Sequence, residues 1–222
     1  MSQVLIIGAS RGLGLELVRQ YRAAGDRVVA TARSDEGLAA IAALGAKPLR
    51  LDVATVAGCA GLAWQIDGEA FDVVVLNAGV FGQRTEGLAT PTQALFDEVM
   101  HTNVLGPMRL LPQLVEALAP GARIALMSSR MGSIALRENA HGWLYRASKA
   151  ALNSVMKDAS LVLQGRAICV SLHPGWVRTD MGGAGADLDA ATSVQGMRDV
   201  LKGLQSSDNG GFFNHDGQPL AW

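Results

Sequence analysis

The segment Val4-Leu5-Ile6-Ile7-Gly8-Ala9-Ser10-Arg11-Gly12-Leu13-Gly14 joins a short apolar run to a glycine-rich turn, and sequence of helical length follows it. A buried strand that passes through glycines into a helix is the setting in which free amides and the helix dipole bind a phosphate. Without side chains, the three glycines let the backbone turn sharply and approach a pyrophosphate. The segment therefore predicts a dinucleotide site, although a turn that uses glycine only for close packing has the same sequence.

Apolar runs of strand length alternate with longer helical segments along the whole chain. The predicted strands are Val4–Ile7, Arg27–Thr31, Pro48–Leu51, Asp72–Leu76, Arg123–Met127 and Ala167–Leu172. The predicted helices are Leu13–Ala24, Asp35–Leu44, Val56–Ile66, Thr92–Leu118, Tyr145–Gln164 and a weak one at Ala190–Leu204, with Gly25, Gly45, Gly68 and Gly121 as stops. This order predicts an α/β fold in which one domain, residues 1–222, forms a doubly wound parallel sheet of about seven strands with helices on both faces.

Composition limits the classes of function. The formal net charge of the 222 residues is −1, and basic and acidic residues are interspersed, so no cationic face for nucleic acid is expected. No apolar run approaches the ~18 residues that a membrane span needs. The two cysteines, Cys59 and Cys169, form no Cys-x-x-Cys pair, and the first residues carry no basic region with a cleavage site. We expect a cytoplasmic protein with reduced thiols that binds neither nucleic acid nor membrane.

Tyr145 and Lys149 are four residues apart in Tyr145-Arg146-Ala147-Ser148-Lys149, so a helix places the phenol and the ammonium on one face. A cation within ~4–6 Å favours the phenolate and brings proton transfer by the tyrosine closer to neutral pH. Tyr145 is therefore a candidate general acid or base. Taken alone, the pair also fits an ordinary helix with a half-buried tyrosine and a solvated lysine.

Further motifs appear in order along the chain: Leu51-Asp52-Val53, Asn77-Ala78-Gly79, Asn103, Ser129, and Pro174-Gly175 followed by Thr179. With the glycine turn and the Tyr145/Lys149 pair, they make the chain resemble the short-chain dehydrogenase/reductase family over nearly its whole length. This resemblance implies a Rossmann fold and a catalytic set of Asn103, Ser129, Tyr145 and Lys149. Ser128 competes with Ser129 for the role of the hydroxyl that binds the substrate carbonyl.

The resemblance also implies a nicotinamide cofactor. Its residues would be Gly8, Ser10, Arg11, Gly12, Leu13, Gly14, Arg33, Asp52, Val53, Asn77, Ala78, Gly79, Tyr145, Lys149, Pro174, Gly175, Val177 and Thr179. Relatives that prefer NAD tend to carry aspartate where this chain has Ala32, whereas Arg33 and Arg11 suit a 2′-phosphate. Asp35 and Glu36 come slightly too late in the chain to bind the ribose. NADP(H) is therefore expected in preference to NAD(H).

The expected substrate is a small carbonyl compound, and an apolar aldehyde or ketone fits better than a sugar phosphate or a carboxylate. The predicted substrate loop lies around residues 180–204 and has a mobile start at Gly182–Asp189. The expected lining of the substrate site is apolar with few charged groups, and it consists of Trp143, Trp176, Met181 and Leu188. The scattered histidines, His101, His141, His173 and His215, predict no metal site, and His141 is expected in an exposed loop near the site.

The chain ends with Gly211-Phe212-Phe213 and a short tail, similar to C-factor and sniffer-like carbonyl reductases. This similarity leaves open a homo-oligomer, dimer or tetramer, and a rival role as a dinucleotide-binding regulatory protein with incidental catalysis. Epimerase or dehydratase chemistry suits longer relatives, because they have a separate substrate-binding region.

Overall fold

A single parallel sheet of seven strands organises the protein, and the computed structural model describes every residue from Met1 to Trp222. Its spatial order is β3-β2-β1-β4-β5-β6-β7, and every neighbouring pair is parallel. The strands are β1 Gln3–Ile7, β2 Arg27–Ala32, β3 Lys47–Arg50, β4 Phe71–Leu76, β5 Leu118–Met127, β6 Ala167–His173 and β7 Phe212–Asn214. The predicted Rossmann-like fold is confirmed.

The helices follow the strands in the expected alternation. They are α1 Gly12–Ala23, α2 Asp35–Ala43, α3 Val56–Cys59, α4 Leu62–Gln65, α5 Gln93–Met100, α6 Gly106–Leu114, α7 Trp143–Val162 and α8 Ala190–Gly203. A π-helical turn, His101–Leu105, joins α5 to α6, and 3₁₀ turns lie at Val115–Ala117, Arg130–Gly132 and Ser206–Asp208. None of the helices is both long enough and apolar enough to cross a membrane.

Alternating side chains of the strands build a separate core on each face of the sheet. In β1, Leu5 and Ile7 belong to the core that packs against α6 and α7, whereas Val4 and Ile6 belong to the core under α1 and α8. All four side chains are at most 1 % exposed. The order of the strands reverses between β1 and β4, and such a switch point opens a crevice at the carboxyl ends of the strands.

Three helix predictions differ from the structure. Val56–Ile66 is two short helices, because Gly61 adopts a φ of +80° that a helix interior does not accommodate. The predicted helix Thr92–Leu118 contains the π-helical turn and ends at Ala117. Gly121 is not a helix stop, since it lies within β5 near the irregular pairing with β4.

Candidate active site

Tyr145 and Lys149 lie together in the first half of α7, and both side chains are buried. The Lys149 Nζ atom is 5.6 Å from the centre of the Tyr145 ring and donates a hydrogen bond to the Met127 carbonyl oxygen at 2.7 Å. Met127 is the last residue of β5. The predicted shared face of the helix is therefore observed, and it is directed at the carboxyl end of a central strand.

Burial moves the pKa values of these two groups in opposite directions. It raises the pKa of Tyr145 to about 12, partly opposed by a hydrogen bond with the Ser129 hydroxyl, and it lowers the pKa of Lys149 to about 8. The pKa of Tyr145 thus lies above its ordinary value, contrary to the effect that the sequence predicted for a nearby cation. The reason is that desolvation of the buried phenol dominates. At neutral pH the phenol carries a proton, which it is able to donate.

The two adjacent serines after β5 have different surroundings. Ser128 donates its hydroxyl to Asn153 Oδ1 at 2.6 Å, and Ser171 donates to the same oxygen at 3.0 Å. Ser129 instead accepts a hydrogen bond from the Met131 amide at 3.1 Å. Its hydroxyl also forms the hydrogen bond with Tyr145 that acts to lower the pKa of the phenol. The Ser128 hydroxyl therefore donates its proton to Asn153 in the protein interior, whereas the Ser129 hydroxyl lies beside the Tyr145 phenol.

Asn103 lies in the π-helical turn and is fully buried. Its Oδ1 accepts from the Val80 amide at 2.8 Å, while its Nδ2 donates to the Val80 carbonyl at 2.8 Å and to the Ser148 hydroxyl at 2.9 Å. Both amide protons are used within the protein. Asn103 therefore fixes the backbone after β4 to α7, close to Lys149.

The glycine turn packs tightly against β4. The Gly8 amide donates to Thr31 Oγ1 at 3.0 Å, and Asn77 Nδ2 donates to the Gly8 carbonyl oxygen at 2.6 Å. A Cβ on Gly14 would lie 2.1 Å from that same oxygen, and one on Gly8 would lie 2.7 Å from Ala78. Gly12 differs: with a φ of +54°, a Cβ there would lie 3.6 Å from Thr179. Gly8 and Gly14 are thus required for packing, and Gly12 keeps open the space between the turn and Thr179.

A cleft of about 260 Å³, the glycine-turn cleft, runs along the carboxyl ends of β1, β2 and β4. Most of the predicted cofactor residues line it: Gly8, Ser10, Arg11, Gly12, Leu13, Arg33, Asp52, Val53, Asn77, Ala78, Gly79, Tyr145, Lys149, Pro174 and Thr179. The remaining three lie elsewhere, because Gly14 is packed behind the turn and Gly175 and Val177 line the neighbouring cavity. Residues that the family resemblance had grouped are therefore brought together at one cleft, and their role in binding a cofactor stays a prediction.

Arg11 and Arg33, the two arginines expected to bind a 2′-phosphate, differ in whether they form an ion pair. Arg11 Nη1 is 3.0 Å from Asp180 Oδ2 in an ion pair exposed to solvent, which spans from the glycine turn to the loop after β6. Arg33 is exposed and its side chain is in no ion pair, while Asp35 is paired with Arg50. The carboxylate that follows β2 is therefore turned toward Arg50, and the Arg33 guanidinium lines the cleft.

A second, larger cavity of about 560 Å³ adjoins the cleft and shares Leu13, Ser128, Tyr145, Pro174, Thr179 and Met181 with it. Ser129 lines this larger cavity. Of the predicted apolar lining, Trp176 and Met181 are present. Trp143 and Leu188 are absent, because Trp143 packs beside Ala89, to whose carbonyl its Nε1 donates at 3.1 Å, and Leu188 pairs with Val177 behind the cavity wall. His141 is exposed, as expected, and lies at the cavity.

The expectation of few charged groups is wrong. Arg84, Arg130, Arg146 and Glu138 all line the larger cavity, together with His173. Arg84 follows β4, Arg130 and Glu138 lie between β5 and α7, and Arg146 lies in α7, so no single motif groups them. Two of them directly follow residues that the sequence had singled out, Arg130 after Ser129 and Arg146 after Tyr145.

This chain is similar to known proteins in sequence and in fold. A family model for short chain dehydrogenase matches residues 2–187. The C-signal of Myxococcus xanthus is 40% identical over 154 residues, which are 68% of this chain and 92% of that protein. Two solved structures superpose over all of this chain. A short-chain dehydrogenase/reductase from Burkholderia multivorans with bound NADP has a TM-score of 0.90, 33% identity and 99% of its own chain covered. Carbonyl reductase Sniffer of D. melanogaster has a TM-score of 0.89, 35% identity and 100% of its own chain covered.

Proposed function

The chain belongs to the short-chain dehydrogenase/reductase family of oxidoreductases, and on that premise we propose that it reduces an aldehyde or ketone with NADPH. The observation that carries the proposal is the position of Tyr145, which lines both the glycine-turn cleft and the larger cavity. A cofactor in the cleft and a carbonyl compound in the cavity would meet at this phenol. The carbonyl reductase and the NADP-bound structure among the similar proteins support the same reading.

The residues that line the cleft support binding of a dinucleotide. Gly12 leaves a space that a side chain would fill, next to Thr179 and at the start of α1, where free amides favour a pyrophosphate. Arg33, and Arg11 if it leaves its exposed partner Asp180, would hold a 2′-phosphate. Asp52 and Val53 would flank the adenine. When bound, the cofactor supplies the hydride.

The protein's own contribution is a proton and a positioned carbonyl. The Ser129 hydroxyl would donate a hydrogen bond to the substrate oxygen and orient it beside Tyr145. As negative charge develops on that oxygen, Tyr145 would donate its phenolic proton. A phenol with a pKa near 12 is protonated at pH 7, which suits reduction better than the reverse reaction. Lys149, held by Met127, would place positive charge beside the phenolate that forms, and Asn103 would hold the neighbouring backbone.

The decisive experiment follows NADPH oxidation at 340 nm with a panel of aldehydes, ketones and quinones. Tyr145→Phe keeps the ring that stacks on Phe81 but removes the proton. We expect kcat to fall by at least ~100-fold while the Kd for NADPH changes less than about twofold. Turnover that survives in this variant would remove Tyr145 from the mechanism, and wild-type protein that oxidises NADPH with none of the compounds would contradict the reductase.

The 40% identity to C-signal favours one second candidate, a regulatory protein whose partner binding depends on the dinucleotide. A sensor has no physical need for the Ser129, Tyr145 and Lys149 arrangement. Partner capture with NADPH, without it and with Tyr145→Phe separates the two functions. Capture that requires NADPH and persists in the variant supports regulation, whereas turnover lost in the variant supports the reductase.

We also propose that the protein is a homo-oligomer, with a dimer formed through the outer sides of α5, α6 and α7. Large apolar side chains on these helices are exposed: Phe96, Met108, Leu161 and Val162. Helices of this kind provide a self-complementary surface around a two-fold axis. Light scattering of the purified protein gives the mass directly, and a mass of 23.2 kDa would contradict the dimer.

A further inference from the structure

The larger cavity has an excess of positive charge that no protein group neutralises. Three arginines line it, Arg84, Arg130 and Arg146, against one carboxylate, Glu138. The protein's ion pairs involve none of these four residues. Cations gathered around a concave site raise the local concentration of anions, because the surrounding protein focuses their field.

Arg146 is the most constrained of the three. Arg146 is only 6% exposed, yet it forms no ion pair with a carboxylate. Its Nε donates to the His141 carbonyl oxygen at 2.9 Å and its Nη2 donates to Asn139 Oδ1 at 2.6 Å. Burial and the neighbouring Arg137 lower its pKa. A buried guanidinium that has only neutral partners is a favourable contact for an anion that enters the cavity.

Arg84 lines the cavity beside Phe81. Its Cζ lies 5.1 Å from the centre of the Phe81 ring, and Phe81 stacks on Tyr145 with 4.5 Å between ring centres. Its Nη2 donates to the Met181 carbonyl oxygen at 2.9 Å. The guanidinium is thus no farther from the Tyr145 ring than these two distances combined, which is within the reach of a small organic molecule.

Arg130 follows Ser129 directly, is exposed and makes no hydrogen bond through its side chain. Its charge acts on His173, whose pKa is lowered to about 4, chiefly by burial. The Nδ1 atom of His173 is buried without a hydrogen-bond partner. A neutral imidazole with an unused nitrogen and a free guanidinium therefore lie near each other at the cavity wall, beside the serine that orients the carbonyl.

We propose that the substrate is an aldehyde or ketone that carries a carboxylate, which Arg84, Arg130 and Arg146 bind while the carbonyl lies at Ser129 and Tyr145. The inference rests on the proposed reductase and names the class of its substrate. It replaces the neutral, apolar compound that the sequence suggested. The charge of the arginines, and not the apolar side chains, then determines which carbonyl compound is preferred.

The test compares two probes that differ in one charge, 4-formylbenzoate and its methyl ester. The ester is intrinsically the better hydride acceptor, because its substituent withdraws electrons more strongly, so a preference for the acid reports binding to the protein. We expect kcat/KM for the acid to exceed that for the ester by about tenfold at low ionic strength. This ratio should shrink in ~0.5 M salt, where exposed charges are screened.

Substitutions assign the preference to the cavity. Arg130→Gln and Arg84→Gln should each lower the acid-to-ester ratio by about threefold to tenfold, and Arg130→Lys should restore much of it. Glu138→Gln should raise the ratio, because it removes the only negative side chain of the lining. Arg27→Gln is the control: it removes an exposed positive charge at the first residue of β2, outside the cavity lining, and should leave the ratio unchanged.

A second readout does not depend on turnover. Calorimetry should show that the alcohol product 4-(hydroxymethyl)benzoate binds more tightly than its methyl ester, and that Arg130→Gln reduces this difference. Equal or faster turnover of the ester overturns the carboxylate proposal and leaves the reductase intact. No NADPH oxidation with either probe, together with equal binding of the two alcohols, overturns the proposal as well. A difference in binding without turnover retains the anion site and contradicts the reductase.

Discussion

The glycine-turn cleft and the larger cavity share a boundary at Tyr145 but are lined by different kinds of groups. The cleft is formed by backbone and small residues in contact with each other, so that a single Cβ on Gly14 would overlap the Gly8 carbonyl oxygen. The cavity is formed by long side chains from separate loops, of which Arg84, Arg130 and Trp176 are exposed. Substitutions in the cleft therefore disturb its packing, whereas exposed side chains of the cavity can be replaced without an overlap with the backbone.

Removing Lys149 from the boundary between the two regions should have the largest effect. We expect Lys149→Met to lower kcat/KM by at least ~100-fold, because positive charge beside the phenolate is lost. The same variant should be more stable at pH 7. Burial lowers the pKa of Lys149 to about 8, so the folded protein bears a desolvation cost of about 3 kcal/mol at most whenever the lysine is charged in both states. The lost hydrogen bond to Met127 reduces this gain.

The pH dependence of stability tests whether the buried charge of Lys149 destabilises the folded protein. Below pH 8 the lysine is protonated in the folded and the unfolded protein, so the full cost applies. Between pH 8 and its ordinary value of 10.5 the folded protein releases the proton first, and the cost disappears. The difference in Tm between Lys149→Met and the wild type should therefore be constant at neutral pH and shrink above pH 8. A variant that melts below the wild type at pH 7 would contradict this reading.

The rigidity of the cleft can be tested with two glycines of similar conformation. Gly12 and Gly61 have φ values of +54° and +80°, and no atom lies within 4 Å of a Cβ on Gly61. Alanine at either position bears a similar backbone strain of about 1 kcal/mol. Only Gly12→Ala places a methyl group in the cleft, and we expect it to raise the Kd for NADPH by about tenfold or more. Equal nucleotide affinities in the two variants, measured by fluorescence titration, would show that the turn does not bind the cofactor.

Arg33 is the arginine without an ion pair on which cofactor choice is expected to depend, whereas Arg11 is paired with Asp180. Arg33→Ala should raise the KM for NADPH by about tenfold, the loss expected for a charged hydrogen bond, and should leave the KM for NADH nearly unchanged. Arg27→Ala is the matched control, since Arg27 is exposed at the opposite end of the same strand. If both KM values rise equally in Arg33→Ala, the 2′-phosphate is not bound there.

A substitution in the cavity should have the smallest effect on the cofactor and a clear effect on the substrate. Trp176 is 54% exposed and lines the cavity, with its Nε1 bonded to the Gly182 carbonyl oxygen. We expect Trp176→Ala to change kcat/KM severalfold for aromatic aldehydes and less for small aliphatic ones. The KM for NADPH should remain within about twofold. Trp143→Ala, outside the cavity, should leave this substrate profile unchanged.

The contrast between the two regions also explains what could be predicted from the sequence. The cleft is encoded locally: the glycine turn follows β1, Leu51-Asp52 follows β3 and Asn77-Ala78-Gly79 follows β4, and parallel strands bring their carboxyl ends together. The parallel sheet with helices on both faces follows from the alternation of apolar runs and helical segments. The positions of these residues were therefore predictable, because each belongs to a short motif at a fixed place in the fold.

Predictions failed where conformation or contact depends on distant parts of the chain. Gly61 interrupts a helical pattern through a positive φ that composition does not reveal. Trp143 lies two residues before Tyr145 but packs on Ala89, whereas Arg84 is distant in sequence and approaches Tyr145 through Phe81. The effect of burial on the pKa of Tyr145 likewise requires the full fold. The lining of the cavity is thus a property of loop placement and was not accessible from spacing.

The π-helical turn at His101–Leu105 has a further consequence for how this chain tolerates length changes. A π turn is an α-helix with one residue inserted, so deleting one residue there would restore regular helical winding while α5 and α6 stay aligned with their neighbours. The Asn103 carboxamide would then leave its place between Val80 and Ser148. Most deletions in a core helix disturb folding first. Here we expect the shortened chain to keep its fold but to lose the Asn103 hydrogen bonds beside Lys149. A single-residue deletion in this turn would then lower activity without unfolding the protein.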